Sequence, residues 1–174
     1  MTLRAQVAGV GHYLPDRVVP NSEFEQTLDT SDEWIRSRSG IERRHFAAEG
    51  QTTSDMATRA ARAALDDAGL AVADIDAIIV ATSTADLTFP SAATMVQAEL
   101  GMTHGFAFDV QAVCAGFVYA LTNANALILS GQATRVLVIG AENSSNCNRL
   151  REVAESLGVP AYLINGPEEI DASW

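Results

Sequence analysis

One cysteine of this sequence stands where a protein can use it as a nucleophile. Cys114 follows the short apolar run at residues 105–110 and precedes an uncharged stretch that ends at Leu129. This pattern predicts a strand, a tight turn and a helix, with Cys114 in the first turn of the helix. The unpaired N–H groups there favour thiolate over thiol and can hold an oxyanion. A cysteine in an apolar helix is more often a small core residue, so position alone leaves both interpretations open.

A second candidate site comes after the apolar run at residues 136–139. Ser144, Ser145 and Asn146 lie between this run and a predicted amphipathic helix at residues 148–157. Their hydroxyl and amide groups, together with helix N–H groups, suit an anion such as phosphate. Serine and asparagine are also preferred N-cap residues, so a capping loop explains the same pattern.

The elements that must position these residues alternate strands with helices. A short polar helix capped by Asn21 or Ser22 comes early, and Ser31 caps the next one. The apolar patterns predict strands at 3–15, 75–84, 105–110 and 135–141, and helices at 30–40, 53–70, 91–101 and 113–129. The helix at 113–129 is apolar all round, which predicts a buried, central position. The fold class is therefore α/β with a mainly parallel, helix-covered sheet, followed by a short helix-strand tail.

Composition argues against several classes of function. The formal net charge is −11 and the eleven basic residues are all arginines, without a basic run. We therefore expect no nucleic-acid partner and no anionic membrane surface. Two cysteines and three scattered histidines show neither a disulfide framework nor metal-ligand spacing, so no metal and no cofactor are expected. With no signal-peptide pattern, a cytoplasmic location is the simplest prediction.

Several motifs resemble the N-terminal half of β-ketoacyl-acyl-carrier-protein (ACP) synthase III, a thiolase-fold condensing enzyme. They are GVGHYLPDRVVPN, TSDEWIRSRSGIERRH, TTSDMATRAARAALDDAGL, IDAIIVATSTADLTFPSAA, FDVQAVCAGFVYAL and RVLVIGAE. The resemblance extends from residue 3 to about residue 142 and implies a thiolase-like half domain at 1–142. It implies that Cys114 is the acyl-accepting nucleophile.

The same resemblance assigns three further residues. Trp34 and Arg38 match the positions that hold the adenine of CoA, although Ser39 stands where the family usually has threonine. Phe89 matches the residue that crosses a dimer interface to shape the acyl pocket of the other subunit. From the residues alone, the favoured role of Trp34 is that of a helix anchor, and the favoured role of Phe89 is that of a loop packing residue.

The implied reaction is the condensation of acyl-CoA with malonyl-ACP, which starts fatty acid synthesis through an acyl-cysteine intermediate. The resemblance therefore implies acyl-CoA and ACP as partners, and a homodimer. In this family the condensation step uses a histidine and an asparagine of the C-terminal half. No histidine of this sequence lies in a matching motif, so we expect the chain alone to be incomplete or inactive in that step.

Residues 143–174 instead resemble a segment of 4-hydroxy-3-methylbut-2-enyl diphosphate reductase, an iron–sulfur enzyme of isoprenoid synthesis. Ser144, Ser145 and Asn146 match its diphosphate-binding loop, and Cys147 stands where that family often has serine. Because the reductase cluster needs three cysteines, no cluster is predicted here. The chain thus looks like a hybrid with a junction near residue 142. The alternatives are a fragment related to the reductase and a scaffold without catalysis.

Overall fold

The structure is a computed structural model that describes residues 5–140. These residues form two units, the sheet unit (residues 5–18 and 45–140) and the helical unit (residues 19–44). The elements in chain order are β1 (Arg17–Pro20), α1 (Asn21–Phe24), α2 (Asp32–Ser39), β2 (Arg43–Phe46), α3 (Thr53–Ala68), β3 (Ala77–Ala81), α4 (Ala92–Leu100), β4 (Phe106–Val110), α5 (Gly116–Leu129) and β5 (Val136–Ile139).

The core of the sheet unit is a parallel three-stranded sheet in the order β4-β3-β5. In the central strand β3, Ile78 and Ile79 point to opposite faces, and both are fully buried. Ile78 packs with side chains of α3 and α4, whereas Ile79 packs with side chains of α5. The predicted α/β class with a parallel, helix-covered sheet is confirmed. Strands β1 and β2 form a separate two-stranded sheet.

Local sequence signals account for the covering helices. Thr52 accepts a hydrogen bond from the Asp55 N–H, and the Asp55 carboxylate accepts one from the Thr52 N–H, so a capping box starts α3. Gly69 ends α3 in the left-handed conformation, with φ of 64°. Ser91 caps α4 by accepting from the Thr94 N–H. The helices predicted at 53–70 and 91–101 are therefore present.

The predicted first strand at 3–15 is wrong for the residues described, because residues 5–15 form no strand. This segment lies on α3 instead: the Val10 N–H donates to Asp67 at 2.9 Å. A Cβ on Gly11 would stand 2.2 Å from the Ala64 nitrogen, so only glycine allows this approach. A segment with alternating apolar residues forms a strand only where its backbone can pair with a neighbouring strand. Here α3 occupies the position next to the segment instead.

The central helix also departs from its prediction. It begins at Gly116, after a 3₁₀ turn at Val113–Ala115. Only Gly116, Ala120 and Ala124, which face the sheet, are buried. Val118 on the outer side is 60% exposed. Burial on all sides needs a second layer, and residues 5–140 contribute none there. Within this range no helix has the length and apolar character that crossing a bilayer requires.

The predicted tail helix and strand lie outside the described residues, as do Ser144, Ser145 and Asn146. The predicted boundary between 1–142 and 143–174 stays a prediction.

Candidate active site

The candidate site lies at the carboxyl edge of the parallel sheet. Strands β3, β4 and β5 end there at Ala81, Val110 and Ile139. In parallel α/β sheets this edge is where ligands bind, because the connecting loops and helix N-termini meet there. The segment after β4 carries Cys114, and the loop after β3 carries Phe89.

Cys114 sits in the middle of the 3₁₀ turn and is exposed. The residue before it, Val113, has φ of +46°, a left-handed conformation that β-branched residues avoid. Such a conformation costs on the order of 1–3 kcal/mol and persists where the surrounding structure fixes it. The predicted strand, tight turn and helix are thus present, with the strain located immediately before the cysteine, but Cys114 lies in the turn before α5 and not in the first turn of the helix as predicted.

The helix that follows the cysteine starts without a side-chain cap. Ala115 occupies the N-cap position, no side chain among residues 5–140 accepts a bond from the first turn, and that turn contains no acidic residue. The Gly116 N–H donates back to the Val113 carbonyl, and the aligned peptide dipoles of α5 place a partial positive charge at this end of the helix. This end of α5 can therefore stabilise a thiolate or an oxyanion beside Cys114.

The loop between β3 and α4 is held by a residue that the sequence analysis did not single out. One oxygen of Asp86 accepts from the Thr53 N–H at 2.7 Å, and the other accepts from the Ser54 N–H at 3.1 Å. Desolvation is the largest single influence on Asp86 and raises its pKa. The hydrogen bonds from Ser54, Thr53 and Thr52 outweigh it and keep the pKa below the ordinary value of 3.8. Phe89, three residues further, is 88% exposed and precedes a cis bond to Pro90.

Trp34 and Arg38 lie in the helical unit. Both are in α2, and the Arg38 guanidinium stands 5.2 Å from the centre of the Trp34 ring. Trp34 is 56% exposed, so its ring is accessible. Ser31 starts α2 by accepting from the Trp34 N–H, as predicted. A flat aromatic face beside a guanidinium suits a base next to a phosphate.

Asn21 has a different role from the predicted helix cap. Its side chain is buried and donates to Asp32 at 2.9 Å and to the Ile41 carbonyl at 2.7 Å, while it accepts from Arg44 at 2.8 Å. Pro20 takes the N-cap position of α1 instead. A buried amide needs partners for both ends, and these three fix α2 against the segment that follows it.

The described part of the chain offers no group of three or more histidine, cysteine or acidic side chains able to hold a metal ion.

Comparisons with known proteins give a consistent picture. The family model of 3-oxoacyl-[acyl-carrier-protein (ACP)] synthase III matches residues 108–154. The β-ketoacyl-[acyl-carrier-protein] synthase III of Roseobacter denitrificans is 84% identical over 142 residues, which are 82% of this chain and 44% of that protein. The one of Cereibacter sphaeroides ATCC 17029 is 71% identical over 99% of this chain and 55% of its own length. The chain thus spans about half the length of the curated relatives it matches.

Solved structures agree with this result. The 3-oxoacyl-[acyl-carrier-protein] synthase III of Aquifex aeolicus superposes with a TM-score of 0.75 at 45% identity, over 82% of this chain and 49% of that one. The Pseudomonas aeruginosa structure gives 0.72 at 44% identity, over 78% and 42%. These neighbours support the thiolase-like α/β fold.

The comparisons give no support to a reductase-like tail. The family-model match continues to residue 154, past the predicted junction near residue 142. The Cereibacter sphaeroides relative aligns with nearly the whole chain.

Proposed function

Because the chain belongs to the β-ketoacyl-ACP synthase III family, we propose that it carries the nucleophile of an acyltransferase. This enzyme condenses an acyl-CoA with malonyl-ACP at the start of fatty acid synthesis. The observation that carries the proposal is the exposed Cys114 on a strained turn, directly before an uncapped helix N-terminus.

In the first step, the Cys114 sulfur attacks the thioester carbonyl carbon of acyl-CoA. The carbonyl oxygen becomes negative, and the partial positive charge at the start of α5 is suited to stabilise it. The intermediate collapses with release of the CoA thiolate, which takes up the proton that the cysteine lost. Cys114 then holds the acyl group as a thioester.

In the second step, malonyl-ACP loses carbon dioxide and the resulting carbanion attacks the acyl group on Cys114. A new carbon–carbon bond forms, and the Cys114 thiolate leaves. The residues described here support the first step, in which the nucleophile acts. The histidine and asparagine that the family uses for the second step match no motif of this chain.

Trp34 and Arg38 are proposed to bind the adenine and a phosphate of CoA, which their stacked geometry suits. Phe89 is proposed to contact the other subunit of a homodimer, and its exposure supports a role in an interface. A cytoplasmic location, where acyl-CoA and ACP are found, completes the proposal. A reductase activity of the tail forms no part of it.

The test is the transfer of one acetyl group from acetyl-CoA to the purified chain, read by intact mass and peptide mapping. We expect the label on Cys114, its loss in Cys114→Ala and its retention in the matched variant Cys147→Ala. An unlabelled wild-type chain, or a label that survives Cys114→Ala, would contradict the proposal. Trp34→Ala should raise the acetyl-CoA concentration needed for half-maximal labelling without abolishing it.

A further inference from the structure

Asp109 links the segment that carries Cys114 to the start of another helix. It is the fourth residue of β4, five positions before the cysteine. Its two carboxylate oxygens accept from the N–H groups of Ala92 and Ala93, each at 2.8 Å. Both alanines are fully buried, so water cannot replace the carboxylate at this place. The first turn of α4 is therefore fixed to β4.

Through α4, the same carboxylate fixes one end of the loop that bears Phe89. This loop, residues 82–91, begins where the Thr82 N–H donates to the Val110 carbonyl at 3.2 Å. Its middle is held on α3 by Asp86. Its end enters α4 at the residues that Asp109 binds. Phe89 thus lies between two points of the loop that are held by carboxylates, those of Asp86 and Asp109.

On the C-terminal side of Asp109, the chain continues into the turn that carries the proposed nucleophile, Cys114. Three residues separate Asp109 from Val113, whose φ of +46° requires support from its surroundings. Gly116, which follows the turn, lies near the ends of β3 and β4: a Cβ there would stand 3.4 Å from the Ala81 Cβ and 3.8 Å from the Val110 carbonyl oxygen. The position of the strained turn therefore depends on the position of the end of β4.

We propose that Asp109 is a positioning residue, which holds the turn of Cys114 and the loop of Phe89 in one fixed arrangement. It touches no reacting atom. Its two hydrogen bonds fix the end of β4 against the start of α4, so the nucleophile and the residue proposed to shape an acyl pocket keep a constant separation. This role rests on the proposed function of Cys114 and Phe89.

Asp76 provides a matched control. Its carboxylate also accepts two backbone N–H bonds, from Thr134 at 2.6 Å and from Arg135 at 3.0 Å. It precedes β3 and so lies at the amino edge of the sheet, away from Cys114. Replacement of either aspartate by asparagine removes a doubly accepting carboxylate without a change in size.

The experiment compares Asp109→Asn and Asp76→Asn in the whole chain, after thermal melting has shown that each is folded. One readout is the rate of Cys114 alkylation by iodoacetamide, and the other is acetyl transfer from acetyl-CoA at varied concentration. We expect both variants to melt earlier. Only Asp109→Asn should slow alkylation and lower the maximal rate of acetyl transfer, by about tenfold, with an unchanged half-saturating concentration.

Equal rates of Cys114 alkylation and acetyl transfer in the two variants would show that Asp109 acts only as a helix cap, and would overturn the proposal. If wild-type chain takes no acetyl group, the proposed function fails, and the alkylation rates still decide the role of Asp109. Should Asp109→Asn fail to fold, Asp109→Glu replaces it, since it keeps both acceptor oxygens one methylene further out. A folded Asp109→Glu with slow alkylation supports the proposal, and one with the wild-type rate overturns it.

Discussion

The two faces of the three-stranded sheet are covered in different ways. On one face lie α3 and α4, whose first turns are held by side chains: Thr52 and Asp86 for α3, Ser91 and Asp109 for α4. On the other face lies α5, whose first turn has no side-chain cap and whose outer side is exposed in the part of the chain that the structure describes.

This difference indicates that α3 and α4 mainly stabilise the fold, whereas the start of α5 is suited to the proposed acyl transfer. The first N–H groups of α3 and α4 are used within the protein, so these helices contribute packing and order. At the start of α5 no side chain of residues 5–140 caps the helix, and the exposed cysteine lies beside its partial positive charge. We therefore expect changes on the α3–α4 face, apart from Asp109, to act on stability, and changes at the start of α5 to act on acyl transfer.

The largest expected effect comes from the core of the α3–α4 face. Ile78→Ala should lower the free energy of unfolding by about 3–5 kcal/mol, because the cavity is enclosed by two helices and the sheet. Ile79→Ala on the α5 face should cost less, about 2–3 kcal/mol, since among residues 5–140 a single helix covers it, and this helix can adjust. Urea denaturation of both variants measures the difference. A larger loss for Ile79→Ala would reverse the proposed division of stability between the faces.

Next in size is the effect of an acidic side chain at the start of α5. Ala115→Asp adds a negative charge beside Cys114 and supplies an internal acceptor for the helix N–H groups. Acetyl transfer to Cys114 should fall about hundredfold, as when an oxyanion donor is lost. The rate of acetylation by mass spectrometry measures it.

Ser130→Asp is the matched control for that change, because it puts the same charge at the other end of the same helix. It should leave acetylation unaltered and lower the free energy of unfolding by about 0.3–1 kcal/mol. Equal acetylation rates for the two variants would show that the α5 N-terminus takes no part in the chemistry.

A smaller effect is expected from the carboxylate that holds α3. Asp86→Asn should lower the free energy of unfolding by about 1 kcal/mol at neutral pH, as removal of a helix cap does. Because folding lowers the pKa of Asp86, its contribution is complete above the unfolded pKa of about 3.9. The contribution is lost as the pH falls through the lower, folded value. Urea denaturation between pH 7 and pH 2 should therefore show the two proteins converging in acid.

The same substitution at the other end of α3, Asp66→Asn, serves as the comparison for Asp86. It removes a negative charge near a helix C-terminus and should stabilise slightly. A stability gap between wild type and Asp86→Asn that stayed constant down to pH 2 would contradict the assigned role of its carboxylate.

The sequence correctly predicted those elements whose signals lie among neighbouring residues of the chain. The apolar patterns that predicted α3 and β3 lie within each element and need no knowledge of its neighbours. It failed where distant residues decide: residues 5–15 lie on α3 instead of pairing in a sheet, and Asn21 joins segments far apart in the chain. Asp86 and Asp109 were missed for the same reason, since each binds a helix start remote in sequence. The strand, turn and helix around Cys114 were predicted because they are contiguous in sequence, and the role of Cys114 as nucleophile stays a proposal.

The smallest change in the free energy of unfolding should come from a substitution in the strained turn, at Val113, the residue before Cys114. Val113→Gly removes a Cβ conflict worth about 1–2 kcal/mol at positive φ. The greater freedom of glycine in the unfolded chain offsets about 0.5–1 kcal/mol of that gain. The free energy of unfolding should thus stay within about 1 kcal/mol of wild type, or rise slightly.

Acetyl transfer to the same variant should nevertheless fall several-fold, because a glycine before Cys114 no longer restricts the turn to one conformation. Ala112→Gly is the matched control, because its φ of −142° is negative; glycine there adds freedom to the unfolded chain and should destabilise by about 0.5–1 kcal/mol. If both glycine variants destabilise alike, Val113 stores no strain in the folded chain. If Val113→Gly keeps the wild-type acetylation rate, the turn is strained without serving Cys114. Only a preserved stability together with slowed transfer fits a turn shaped to present its nucleophile to the N-terminus of α5.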